Sequence, residues 1–259
     1  FYGRADVHFD DTFYVDMTGM GAGVDGIGLG FGSLNVAVFR KDDNGAATNP
    51  GTRLNLDLSG INVNPGGKLR VTSVFTDFSG AGGKGGMGLS LQHNQSGILG
   101  GDNVLWLQYA QGSAYLNQGF GGGLDDSGKK RWRIVESPSW TNGPLTGQGT
   151  LQIGEEKDPN GNKRKYSSIG GRVAFALSQN FKLQGELGVS RMTPVQGAGS
   201  QQVTKATIAP TLTVGPNYYD RPELRLYVSG FKFNNAYQLA NGQSKSSKST
   251  VGFQAEIWF

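Results

Sequence analysis

The last eleven residues, Ser249 to Phe259, read S-T-V-G-F-Q-A-E-I-W-F and alternate strictly. Val251, Phe253, Ala255, Ile257 and Phe259 fall on one side, and Thr250, Gly252, Gln254, Glu256 and Trp258 on the other. Successive side chains of a strand point to opposite faces. The stretch is therefore a strand with one apolar face and one mostly polar face. Trp258 is the exception, an aromatic on the polar side.

The same alternation recurs upstream. Leu54, Leu56 and Leu58 alternate with Arg53, Asn55, Asp57 and Ser59. Leu183 and Leu187 alternate with Lys182, Gln184 and Glu186, and Leu224, Leu226 and Val228 with Glu223, Arg225, Tyr227 and Ser229. Turn sequences such as Asn64-Pro65-Gly66-Gly67 and Ser178-Gln179-Asn180 separate the segments. No segment of helical length favours the 3.6-residue period. The pattern predicts about twelve strands, with short turns alternating with long loops. Residues 1–25 read as a short strand end followed by a long loop. The apolar parity slips at Ser33, which a bulge near Gly32 explains. Gly112–Asp126 and Ser137–Gly147 read as loops. Around Trp106 nearly every residue is apolar, so the phase of that strand stays open.

Two architectures share such alternation: a soluble β-sandwich or lectin, and a transmembrane barrel with apolar residues toward lipid and polar residues toward the lumen. Arg53, Asp57, Lys182, Glu186, Glu223, Arg225 and Glu256 all fall on the polar face, which suits a hydrated lumen. We therefore expect an all-β, antiparallel transmembrane β-barrel. Leu54, Leu56, Leu183, Leu187, Leu212, Leu224, Leu226, Phe253 and Ile257 should form a continuous apolar exterior. In a lectin the same residues would meet in a closed core. No run approaches the ~18 apolar residues of a membrane helix. The chain has no cysteine, hence no disulfide and no thiolate metal site. Its net charge of +4 is spread along the chain. The two basic clusters, Lys129-Lys130-Arg131 and Lys163-Arg164-Lys165, read as solvated loops rather than a nucleic-acid surface.

Sites for catalysis are not apparent. Asp10-Asp11 and Glu155-Glu156 are adjacent acids, which a strand would send to opposite faces. There is no G-x-S-x-G and no P-loop. The glycine-rich Gly80–Gly86 and Gly119–Gly123 lack the Lys-Ser/Thr and the helix that phosphate binding needs, and read as flexible loops. The two histidines, His8 and His93, have no neighbours at metal-binding spacing. No enzyme activity, metal or cofactor is expected.

Several stretches carry a family resemblance. F-Y-G-R-A-D-V-H-F-D-D-T-F-Y-V-D, followed by M-T-G-M-G-A-G, resembles the start of the inward-folded constriction loop of maltoporins. V-G-F-Q-A-E-I-W-F resembles their C-terminal strand, and I-N-V-N-P-G-G, H-N-Q-S and N-Y-Y-D-R-P-E-L-R-L-Y are also similar. The resemblance spans residues 1–259 as one barrel domain, with 1–25 its constriction-loop-like segment. It implies a multi-pass barrel of the Gram-negative outer membrane, eighteen-stranded in the family and homotrimeric, that passes oligosaccharides. Membrane lipid would be its other partner. In the family roughly a third of the barrel precedes that loop, so the resemblance implies a C-terminal portion lacking about five strands.

The resemblance also assigns roles. Arg4 corresponds to the constriction arginine, and Asp11 and Asp16 to its acidic partners. Phe13 stands where many maltoporins carry tyrosine, which makes the narrowest point more apolar and leaves sugars other than maltodextrins, sucrose included, open. Trp258 corresponds to an aromatic of the sugar-guiding slide. Tyr219 falls at another slide position, where maltoporins commonly carry Trp, and an interface-girdle role stays open for it. No aromatic stands near Gly101-Asp102, where a third slide residue would lie. A general diffusion porin without lumen aromatics is the alternative within the membrane class.

Overall fold

The computed structural model describes residues 19–41, 51–78, 85–114, 116, 128–197 and 199–257. Thirteen strands follow in order: β1 (Gly19–Gly28), β2 (Ser33–Lys41), β3 (Gly51–Asn64), β4 (Gly67–Phe78), β5 (Gly86–Ile98), β6 (Gly101–Gly112), β7 (Lys130–Asn142), β8 (Leu145–Lys157), β9 (Lys163–Ser178), β10 (Phe181–Thr193), β11 (Gln201–Thr213), β12 (Glu223–Phe233) and β13 (Ser247–Glu256). They form one sheet in which each strand pairs with the next, and the pairs are antiparallel throughout. One short helix, α1 (Asn235–Asn241), lies between β12 and β13. It is capped by the Asn234 side chain, which accepts from the Tyr237 N–H, and by Gly242 at φ 61°. At seven residues it is too short to show a helical period in sequence.

Three expectations are corrected. The long loop expected to run through Asp25 gives way to β1 at Gly19. The bulge expected near Gly32 is a chain reversal. Leu29 N–H donates to the Gly32 carbonyl at 2.9 Å, and Gly28 pairs with Ser33. A reversal and a bulge shift parity alike, so the sequence pattern does not separate them. The loop expected over Ser137–Gly147 is mostly strand: β7 runs on to Asn142, and β8 starts at Leu145 after a Gly143-Pro144 turn. Pro138, which has no N–H to give, sits where the β7–β8 ladder lapses.

The turns obey local chemistry. Pro65-Gly66 joins β3 to β4, with Gly66 at φ 74°, the positive value that the third position of a type II turn requires. Leu99 and Gly100, at φ 53° and 75°, join β5 to β6 with both central residues left-handed, as a type I′ hairpin demands. These tight connections share one rim with residues 29–32, 143–144, 179–180 and 214–222. Among the described residues the other rim carries 113–114, 128–129, 158–162, 194–197, 199–200 and 234–246.

The two faces of the sheet have exchanged their usual roles. Among the described residues the largest fully buried side chains are Arg53, Arg131, Lys182 and Glu223. Leu187, Leu212, Leu226, Phe253 and Ile257 stand more than half exposed on the opposite face, and Leu183 and Leu224 are exposed with them. Leu54 and Leu56 are half-buried. Among the described residues the buried apolar cluster consists of Ala110, Ala114 and Leu116 alone. The closed leucine core that a lectin would need is absent from the described residues. A sheet with its apolar face outward is stable against hydrocarbon, where exposed leucine costs nothing and every backbone polar group must be paired within the protein.

Candidate pore-lining face

The polar face is held by charges arranged in rungs across neighbouring strands. Near the tight-turn rim, Lys182 Nζ lies 3.0 Å from Glu223 Oε2, with both side chains fully buried. Arg221 reaches Glu223 at 3.1 Å and Glu256 at 3.2 Å. Arg225 pairs with both of the same glutamates. Gln184 donates to Glu223 at 3.1 Å, and Lys182 donates to the Asn217 carbonyl at 2.7 Å. Buried charge is tolerated only when paired and hydrogen-bonded in this way. Midway along the wall Glu186 is held between Arg172, at 2.9 Å, and Lys205, at 2.6 Å. Farther round, Asp57 binds Arg70 at 2.7 Å and accepts from Thr72 at 3.0 Å.

A further rung lies near the long-loop rim and corrects the reading of the basic clusters as solvated loops. Lys130-Arg131 opens β7 and Lys163-Arg164-Lys165 opens β9. Glu156 stands opposite both Arg131 and Arg164 in the register. It accepts from Arg131 Nε at 3.2 Å and from Arg164 Nη2 at 2.9 Å. Glu155, on the outer face, binds Lys163 at 2.9 Å. The Glu155-Glu156 pair thus serves the ladder, one carboxylate on each face.

Aromatic side chains share this inner face. Tyr227, Phe231 and Phe233 have the same parity in β12 as Glu223 and Arg225. Phe231 and Phe233 lie nearly parallel, 6.5 Å apart between ring centres. Tyr237 of α1 continues the row, stacked on Phe233 at 4.8 Å. Glycines make room for such rings. A Cβ at Gly252 would collide with Tyr227, and one at Gly154 with Tyr166. Trp106, whose phase the sequence left open, is 3% exposed and lies on the inner face with Gln108 and Ala110.

Of the residues singled out by resemblance, Tyr219 is described. It sits in the 214–222 connection, half exposed, edge-on to Tyr218 with ring centres 4.8 Å apart. Tyr218, not Tyr219, is the buried member, and it borders Gln148, Arg172 and Glu186 on the inner wall. Arg4, Asp11, Phe13, Asp16 and Trp258 lie outside the described residues. Tyr219 is thus the one expected site residue among the described residues. Sequence reasoning misses the aromatic row of β12, although its signal is present: Tyr227 and Ser229 lie on the polar face, and two further steps of the same alternation reach Phe231 and Phe233.

What this face can do chemically follows from its groups. Paired carboxylates and guanidinium groups offer strong acceptors and donors to hydroxyls. The rings offer flat apolar surface beside them. Among the described residues no three His, Cys, Asp or Glu side chains gather as a metal site. Strands turned apolar-out, tight turns on one rim, longer connections on the other and a charged inner wall together describe a porin. The sequence model of the LamB porin family matches residues 1–259, and the chain belongs to that family of outer-membrane transport channels.

Proposed function

We propose that the protein is a passive channel for oligosaccharides, maltodextrins among them, and that it works as a homotrimer. The observation carrying this reading is the row Tyr227, Phe231, Phe233 and Tyr237 beside charged rungs on one wall. A sugar ring has apolar faces and polar edges. Rings of the wall meet the faces, and fixed charges meet the hydroxyls. Several similar weak sites in series let a sugar enter and still leave.

In this reading Arg4, Asp11 and Asp16 form the polar constriction, and Phe13 makes it more apolar than a tyrosine would. Trp258 and Tyr219 extend the aromatic path to the tight-turn rim. No bond is made or broken and no cofactor takes part. Liposome swelling with the purified full-length protein tests the proposal. Maltotriose should enter faster than a non-sugar polyol of equal hydrodynamic radius. Equal rates, set by size alone, would favour a general diffusion pore.

A further inference from the structure

The inner wall carries a cavity of about 560 Å³ near the long-loop rim, walled by β7 to β11 and capped by α1. Because residues from five neighbouring strands line one space, the face is concave there. Among the described residues three arginines of the inner face border it, Arg131, Arg133 and Arg164, against a single glutamate, Glu156. Elsewhere on the wall the balance is closer, with Glu186 held between one arginine and one lysine.

These arginines differ in how far they are satisfied. Arg131 and Arg164 are spent on Glu156. Arg191, of the same outward parity as Leu187 and Val189, donates to Gln202 at 2.8 Å and adds no charge to the cavity. Arg133 donates through Nε to Gln108 at 2.7 Å, while its Nη2 is buried with no hydrogen-bond partner among the described residues. The residue is only 6% exposed. A buried guanidinium nitrogen without an acceptor carries a desolvation cost that an anionic oxygen would relieve. The rings of Tyr166 and Tyr237 border the same cavity, Tyr166 resting where Gly154 has no side chain.

We infer that this cavity is a binding station for an acidic saccharide, a sugar ring whose carboxylate or phosphate is received by Arg133. The ring would lie against Tyr166 or Tyr237, and the Glu156 rung would hold Arg131 and Arg164 as a fixed positive border. This rests on the sugar-channel reading above and adds to it a preference for negative charge. A neutral sugar leaves Nη2 of Arg133 with only a hydroxyl to bind. An acid gives it a charge-assisted bond and meets a wall with a surplus of positive charge.

The test uses two trisaccharides of equal length, trigalacturonate and maltotriose, titrated against the single-channel current of the full-length protein. Trigalacturonate should block at about tenfold lower concentration. Raising the salt should weaken that block and leave the maltotriose block unchanged. In Arg133→Gln the advantage should fall to about threefold or less, with maltotriose little affected. A block by maltotriose that trigalacturonate only equals would overturn the acidic-sugar station and leave the sugar channel standing. An advantage that is independent of salt, or intact in Arg133→Gln, would overturn it as well. No block by either sugar would remove the underlying channel reading too. Should Arg133→Gln fail to assemble, the salt titration on the unmodified protein still decides.

Discussion

Lys182 on β10 and Glu223 at the start of β12 are two strands apart, yet their charged ends meet at 3.0 Å with neither side chain touching solvent. Glu223 also serves Arg221 and Arg225, which share Glu256 as a second partner. Glu223→Gln leaves Lys182 buried without a carboxylate and the two arginines with Glu256 alone, and should cost ~3–5 kcal/mol of stability. Lys182→Met should cost less, because Glu223 keeps two arginines. Denaturant unfolding in detergent measures both. A Glu223→Gln protein no weaker than Lys182→Met would refute the hub role of Glu223.

The outward leucine face makes a second prediction. Val228 lies near the middle of β12 on the apolar side, pairing with Ile208 and Val251. Arginine there should cost ~2–4 kcal/mol if the face meets the bilayer midplane. On a water-exposed surface the same change would stay within ~0.5 kcal/mol. Unfolding from lipid vesicles separates the two.

The row on β12 should contribute to sugar affinity. Phe233 touches both Phe231 and Tyr237, so Phe233→Ala removes the middle of the row. Aromatic contacts of this kind contribute ~0.5–1.5 kcal/mol each. Maltooligosaccharide block should weaken by about threefold to tenfold. An unchanged block would take the row out of the sugar path.

A pH effect is expected in the turn between β8 and β9. The Asn162 side chain donates to Asp158 Oδ2 at 2.8 Å, and the Asn162 N–H donates to Oδ1 at 2.9 Å. These bonds favour the carboxylate and hold its pKa below the usual aspartate range. A depressed folded-state value stabilises the turn fully above the unfolded pKa, about 4. That contribution fades as pH falls through the lower folded value. NMR titration should show the Asn162 amide resonance moving with a midpoint below the ordinary aspartate value. A midpoint at or above the ordinary aspartate value would contradict this.

Much of the wall was legible in the alternation itself. Leu224, Leu226 and Val228 face outward and Glu223 and Arg225 inward because a strand allows two directions only. Phase was lost where both faces are apolar. Trp106 is buried on the inner side and Leu107 is exposed on the outer, and the apolar run Val104-Leu105-Trp106-Leu107 gave parity nothing to choose between. Pairings across strands were beyond reach for another reason. That Arg221 meets Glu256, 35 positions later, depends on the β12–β13 register and a loop conformation. Tyr219 and Tyr218 sit in that same loop, where no alternation says which ring turns inward. Basic clusters beside turn sequence looked like loops because charge on a lumen wall and charge in water have the same composition.

The central claim is a wall that binds sugars while passing them. Single-channel conductance of the full-length protein in a planar bilayer tests it most directly, with maltooligosaccharides and sucrose titrated in turn. The account predicts a saturable block that deepens with sugar length and weakens in Trp258→Ala and Phe233→Ala. A conductance indifferent to every sugar at saturating concentration would contradict it.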